Sequence, residues 1–339
     1  MKFAKNKKND IVLYILEKIY NNEQENLALL TSEKFNINKS TIYSYLKEME
    51  QEGIIRKIKR GCYELTEEKI VLNFKNEDLD EITEYNKFIK PLLGNIQPNV
   101  MGIWDYAVGE MFNNAIEHSK CKNISIVICK NYLNTFIKIE DDGIGIFENI
   151  REHFKLKTVD EAVLELFKGK LTTDPANHSG EGIFFTSKLV DKFYIMSSDR
   201  IFTTNKYNNE EMVEIDKGRG TCLYMILSNF SNRNAENIFK MYSDENFNFN
   251  RTVIPLKNIF DMNPVSRSQA KRICGGLSKF KIVEIDFEDI EWMGQGFADQ
   301  LFRVFHNQNP EIELIPLNMN ESVNAMYKHV MSRDDLPWV

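Results

Sequence analysis

Three separated stretches, GEMFNNAIEHS (residues 109–119), IEDDGIGIF (139–147) and HSGEGIFFTSKLVD (178–191), decide how the chain is read. If the first is a helix, Glu110, Asn114 and His118 recur every four residues and share one face, with Met111, Ala115 and Ile116 on or near the apolar side. A carboxylate one turn from a carboxamide suits chemistry in which the amide oxygen binds a Mg²⁺ held mainly by waters and phosphates, while the carboxylate orients or deprotonates a nucleophile. Taken alone, the same spacing also fits a solvated polar stripe on an amphipathic helix.

In the second stretch, alternation over residues 135–139 predicts a strand that delivers Asp141 to its end, where Asp142, Gly143, Ile144 and Gly145 must turn. A carboxylate at a strand end can accept a hydrogen bond from an amino group on a heterocycle, and the two glycines permit close backbone approach and positive φ. The third stretch opens with Ser179, Gly180, Glu181 and Gly182 and runs into an apolar helix. Backbone amides at such a helix start hold phosphate without any lysine.

Helix, strand pair, long intervening segment, glycine turn, helix and further strands follow in that order. In this the chain resembles the GHKL class of ATP-binding domains over roughly residues 76–230. EMFNN resembles its N box, DDGIG its first glycine box and SGEG its second. SGEGIFFTSKLVD is most similar to the anti-sigma-factor serine kinases, and GRGT, ending at Thr221, resembles the threonine that backs the adenine aspartate. The resemblance implies a site for ATP and Mg²⁺, with Glu110 as catalytic carboxylate, Asn114 as Mg²⁺ ligand and Asp141 as adenine reader. Gly143, Gly145, Ser179, Gly180, Gly182 and Thr221 complete the implied nucleotide pocket.

The rest of the chain bounds these readings. At 339 residues and 42% hydrophobic content it can hold two or three packed domains. No stretch approaches the roughly 18 uncharged apolar residues of a membrane helix, and the start MKFAKNKKND lacks a signal-peptide core, which predicts a cytoplasmic protein with no membrane partner. Five cysteines without a CxxC pair predict reduced thiols rather than disulfides or zinc. Charge is uneven: residues 1–75 carry 14 Lys and Arg against 11 Asp and Glu, which leaves 29 against 39 for the remainder.

In the basic N-terminal part, helical spacing over 11–20, 27–35 and 39–53 is followed by a short hairpin with the tip Lys59, Arg60, Gly61. This resembles a winged helix-turn-helix, which implies duplex DNA as a partner. Thr41, Tyr43, Ser44 and Lys47 fall on the outward face of the recognition helix, and Lys39, Lys59 and Arg60 are placed to neutralise phosphates. A winged helix used for protein contacts is the alternative. Toward the C-terminus, helix-like residues 266–277, strand-like 280–287, a helix through Phe297, Leu301, Phe302 and Phe305, strand-like 312–317 and a last helix from 322 to 331 alternate. Residues 250–339 resemble a STAS-like domain, distantly similar to the anti-anti-sigma substrates of such kinases. The turn where those substrates carry a serine reads Trp292, Met293, Gly294, Gln295, Gly296, with no hydroxyl. Phosphorylation in cis is thereby excluded at this turn. Of Trp292 and Met293, core placement is the first expectation and docking the second.

The predicted fold class is thus a multidomain α+β protein: a winged helix at 1–72, an α/β sandwich of GHKL (Bergerat) type at 76–230 and a small α/β STAS-like domain at 250–339. Polar residues 244–250 read as a linker, and the segment from 146 to 179 as a lid ordered by the nucleotide. The leading functional expectation is an ATP-responsive regulator with DNA binding as its output, a protein partner at the C-terminal domain, and room for a homodimer. A serine/threonine kinase acting in trans and a slow ATPase in a nucleic-acid or defence machine are the alternatives.

Overall fold

The computed structural model describes residues 5–171, 180–205, 219–260 and 262–332. The N-terminal segment forms helices Lys5–Tyr20, Leu27–Phe35 and Lys39–Gln51, then an antiparallel hairpin of β1 (Ile55–Lys59) and β2 (Cys62–Leu65). Its apolar residues recur at helical spacing, so Ile11, Ile15, Leu16 and Ile19 meet Ile42, Leu46 and Met49 in one small core. Leu133 belongs to the same cluster and Phe230 packs against it, so this segment is docked on the central sheet. Only Thr66 and Glu67 separate β2 from β3 (Glu68–Lys75), which pairs along its whole length with β4 and straddles residue 72.

The central sheet is antiparallel in the order β3-β4-β5-β8-β6-β7, with β4 at Asn123–Lys130, β5 at Asn134–Asp141, β6 at Lys192–Ser197, β7 at Arg200–Thr203 and β8 at Cys222–Ser228. Strand period 2 meets helix period 3.6 across one face. Ile124, Ile126, Ile128, Ile137 and Ile139 are buried in one cluster with Ile103, Trp104, Ala107, Val108, Met111 and Phe112 of the helix Pro98–His118. Part of the segment read as a lid is packed here. Residues 146–168 form helices Ile146–His153 and Val159–Lys168, and Phe147, Ile150, Ala162, Leu166 and Phe167 bury their apolar stripes in this same core. Removing such side chains from water is itself favourable by about 1.5–3 kcal/mol each. The remainder of that expectation, and the Ser179 assignment with it, falls on residues 172–179, outside the described residues.

The C-terminal domain is a parallel sheet of β9 (Arg251–Pro255), β10 (Ile282–Asp286) and β11 (Glu313–Leu317), in the order β11-β10-β9. Its helices are Arg267–Cys274, Gln295–Ala298 continuing as a π-helical stretch through Asp299–Phe305, and Glu321–Met331. Ser266 caps the first in a capping box with Gln269. Two expectations fail. The supposed linker carries Phe249, fully buried beside Phe184 and Phe185 in one cluster with the C-terminal core, so the domains share apolar surface. Met293 is buried, but Trp292 is 45% exposed, because Asn263 and Asn320 tie the preceding turn outward through the backbone of residues 290–292. Among the described residues no helix is long and apolar enough to cross a membrane. The five cysteines are free.

Phe112 tests the central packing. Its ring, fully buried, meets Phe74 of β3 at 5.3 Å between centroids and so joins the long helix to the edge strand. Phe112→Ala is expected to lower unfolding free energy by about 3–5 kcal/mol in a denaturant titration.

Candidate functional site

The helix Pro98–His118 starts with Pro98 in its first turn, where a missing N–H costs nothing, and runs for 21 residues. Its polar face, Glu110, Asn114 and His118, lines a cavity of about 270 Å³. The opposite wall comes from Ile139 and Asp141 of β5, Leu223 of β8 and Ile195 of β6. Ile146, Asn149 and Ile150, together with Leu166, Gly169 and Leu171, close the side. Gly180, Gly182, Ile183 and Phe184 close the end near Glu110. Nine residue steps along the helix lead from Glu110 to Ser119, so the two ends of the slot lie roughly 13 Å apart.

At one end Asp141 is 6% exposed. The Gly143 N–H donates to its Oδ1 at 2.8 Å, and its own N–H donates to the Thr221 carbonyl at 3.0 Å. The Thr221 hydroxyl also hydrogen-bonds the carboxylate, and accepts from the Ile146 N–H at 3.0 Å. Burial pushes the Asp141 pKa up, against the downward pull of the Gly143 and Thr221 hydrogen bonds. Asp142, its neighbour, faces the other way. It accepts from the Asn123 and Lys122 backbone amides and from Asn123 Nδ2, bonds that hold its carboxyl below the usual range and pin the start of β4.

The glycines here are matters of space. An ideal Cβ on Gly143 would collide with the Ser119 carbonyl, and one on Gly145, at φ +85°, would stand 2.5 Å from Ser197 Oγ. Gly220, at φ +101°, leaves no room for a Cβ beside the Asp141 carbonyl. At the other end Gly180 has φ +71° and abuts the Leu171 backbone, whose N–H donates to the Gly180 carbonyl at 3.1 Å. Gly182 opens the helix Gly182–Leu189, and the Glu110 carboxylate lies against its Cα, beside the amide end of that helix.

Glu110, Asn114, Asp141, Gly180, Gly182 and Thr221 therefore all line one cavity, and Gly143 and Gly145 form the turn beside it. The sequence reading missed Asn149, Gly220 and Ser197. Asn149 lines the cavity and donates from Nδ2 to the His118 carbonyl at 3.0 Å, tying the Ile146–His153 helix to the end of the long helix. Ser197 Oγ donates to the Gly220 carbonyl at 2.9 Å. No motif flags Asn149 or Ser197. Gly220 stands in GRGT, next to Thr221.

An acid is thus buried at one end of the slot, and a carboxylate and a carboxamide stand at the other. Residues 104–229 match the family described as histidine kinase-, DNA gyrase B- and HSP90-like ATPases. Residues 269–324 match the STAS-like domain of unknown function. The chain therefore carries a GHKL-type ATPase domain and, behind it, a STAS-like domain, and the former supports ATP binding. A comparison with curated proteins found no match.

The glycines separate two kinds of crowding. Gly220→Ala meets backbone and a positive φ, and is expected to cost more than about 2 kcal/mol of stability. Gly182→Ala meets only the far end of the Glu110 side chain, so its melting temperature is expected to stay near that of the unsubstituted protein. Thermal unfolding of both variants reads the difference.

Proposed function

We propose that the chain is an ATP-responsive regulator in which the central slot binds Mg·ATP. The observation that carries this is the placement, in one cavity, of buried Asp141 backed by Thr221 at one end and of Glu110, Asn114 and Gly182 at the other. The residues fit the ligand. At Gly143 and Gly180 a Cβ would meet the Ser119 carbonyl and the Leu171 backbone, so only glycine lets these turns pass so close to their neighbours at the edge of the slot. Among the described residues there is no group of three or more His, Cys, Asp or Glu that could cage a metal, and a single carboxamide oxygen from Asn114 suits Mg²⁺, which keeps its waters and phosphate ligands.

In this reading Asp141 accepts from the adenine amino group, held in place by Gly143 and Thr221. Asn114 supplies an oxygen to Mg²⁺, and the amides at the start of the Gly182–Leu189 helix face the phosphates. Glu110, one turn from Asn114, orients or deprotonates the nucleophile. Mg·ATP bound there supplies a phosphoryl group whose charge the metal masks. Asp141→Asn is expected to weaken ATP by roughly tenfold or more in calorimetric titration with little loss of melting temperature, since a charged acceptor becomes a neutral amide. Glu110→Ala is expected to keep Mg·ATP affinity and to abolish release or transfer of phosphate. Labelled ATP distinguishes the outcomes: label on a second protein identifies the trans-acting kinase, free phosphate an ATPase, neither a sensor.

The output is assigned to the N-terminal segment, read as a winged helix on duplex DNA. What supports it is exposure: Lys39, Tyr43, Ser44 and Lys47 stand out from the helix Lys39–Gln51, Thr41 is half-buried, and Lys59 and Arg60 are exposed at the hairpin tip. Replacing Lys59 and Arg60 together by alanine is expected to weaken binding to all duplexes and to flatten the salt dependence by about one to two phosphate contacts. Gel-shift titrations at several salt concentrations measure this, and the absence of DNA affinity in the intact protein at low salt would move the segment to protein contacts.

A further inference from the structure

The side of the slot formed by Gly169 and Leu171 is held by its own domain through the Leu171 N–H on the Gly180 carbonyl and, beyond that, from outside it. The chain leaves the helix Val159–Lys168 through Gly169 at φ +73° and Lys170 at φ +50°, two successive residues in the left-handed region. A lysine there is unfavourable and persists only where surrounding contacts over-determine it. Those contacts come from the C-terminal domain. Lys168, 1% exposed, donates from Nζ to the Arg272 carbonyl at 2.9 Å, near the end of the helix Arg267–Cys274, and pairs with Glu165 at 2.6 Å. Thr252, fully buried on β9, donates from Oγ1 to the Lys168 carbonyl at 2.9 Å. Lys279 Nζ donates to the Lys170 carbonyl at 2.9 Å, and Lys170 Nζ returns a bond to the Lys279 carbonyl at 3.3 Å.

Packing follows the same boundary. An added Cβ at Gly169 would stand 3.0 Å from the buried ring of Phe249 and 3.3 Å from that of Phe184. Those two rings meet, tilted by 40°, at 4.5 Å between centroids, and Phe249 meets Phe280 at 5.3 Å. Phe184 itself lines the slot. Two cavity-lining elements, the 169–171 wall and the start of the Gly182–Leu189 helix, thus rest on side chains from beyond residue 248. Burial pushes the Lys279 pKa down to about 8, with Glu165 opposing and Lys168 and Lys170 adding to the shift, so the ammonium is desolvated where it makes its bond.

We propose that the STAS-like domain completes the nucleotide site in cis, with Thr252 and Lys279 as positioning residues that hold the 168–171 wall in its binding conformation and thereby set the affinity for Mg·ATP. This rests on the nucleotide reading above. Because coupling is reciprocal, Mg·ATP in the slot in turn stabilises β9 and the 270–280 segment, and a partner that binds the C-terminal domain tunes nucleotide affinity without touching the slot.

The test uses the full chain and three variants. Thr252→Val removes one donated bond at nearly constant volume, Lys279→Met removes the other at similar length, and Lys279→Arg keeps a cationic donor. Mg·ATP affinity is measured by calorimetry, melting temperature by thermal unfolding, and backbone protection by hydrogen exchange with and without Mg·ATP. The expected result is at least a fivefold loss of affinity in Thr252→Val and Lys279→Met. Both should melt near the unsubstituted protein, affinity should recover in Lys279→Arg, and the unsubstituted chain should gain ligand-dependent protection across 251–255 and 270–280. Unchanged affinity in both Thr252→Val and Lys279→Met, in a protein that binds Mg·ATP, overturns the proposal while leaving the nucleotide site standing. Loss of affinity in Lys279→Arg as large as in Lys279→Met, in step with a lower melting temperature, overturns it as general destabilisation. Failure of the unsubstituted chain to bind Mg·ATP sinks the nucleotide reading itself.

Discussion

One eight-residue helix has to satisfy two hydrophobic cores. Gly182–Leu189 reads GIFFTSKL: Leu189 is buried in the core of the central sheet, Phe184 and Phe185 in that of the C-terminal domain. Five of its eight residues, Phe184, Phe185, Thr186, Ser187 and Leu189, are buried, so both flanks are covered. The covering is done by the central domain on one side and by Phe249, Tyr242 and Phe239 on the other, in a run of aromatic contacts between 4.5 and 5.2 Å. Lys188 is drawn into the same interface. Its ammonium stands over the Phe184 and Tyr242 rings, and burial lowers its pKa to about 8 against the opposing pull of Glu284 and Asp286. The start of this helix is also the end wall of the slot. Domain packing and site geometry are therefore the same problem here.

The aspartates at 141 and 142 show how environment divides identical chemistry. Asp141, at the last inward position of β5, is stripped of water and given donors from Gly143 and Thr221. That leaves a carboxylate held in one orientation, with its charge costly unless a ligand donor meets it. Asp142, one residue on, points outward because strand side chains alternate, and spends its acceptor capacity on the backbone of residues 122 and 123. The first is suited to recognition, the second to fixing a turn.

Strand β5 also connects the ends of the molecule. Its last residue is Asp141 and its first, Asn134, follows Leu133, which is buried in the N-terminal core. With only Thr66 and Glu67 between the N-terminal hairpin and β3, the N-terminal segment is attached by a paired strand and an apolar contact at the end of the sheet away from the slot.

The sequence by itself determined the elements and the polar partners. Periodicity marked the long helix with Glu110, Asn114 and His118 on one face, the strand ending at Asp141 and the alternating C-terminal units, because these signals are local: a few residues set the period, and a glycine or a cap ends it. Gly180 and Gly182 were legible for the same reason. Tertiary structure decided what depends on distant neighbours. Residues 146–168 belonged to the segment read as a lid, yet Phe147, Ile150, Leu166 and Phe167 find a core to enter. Residues 244–250 looked like a linker, yet Phe249 closes the interface between domains. Asn149, Ser197 and Gly220 joined the site only through contacts 23 to 79 residues away in the chain, to His118, Gly220 and Asp141. No pattern within one segment reports which carbonyl another segment will present to it, and that is where the sequence stops and packing begins.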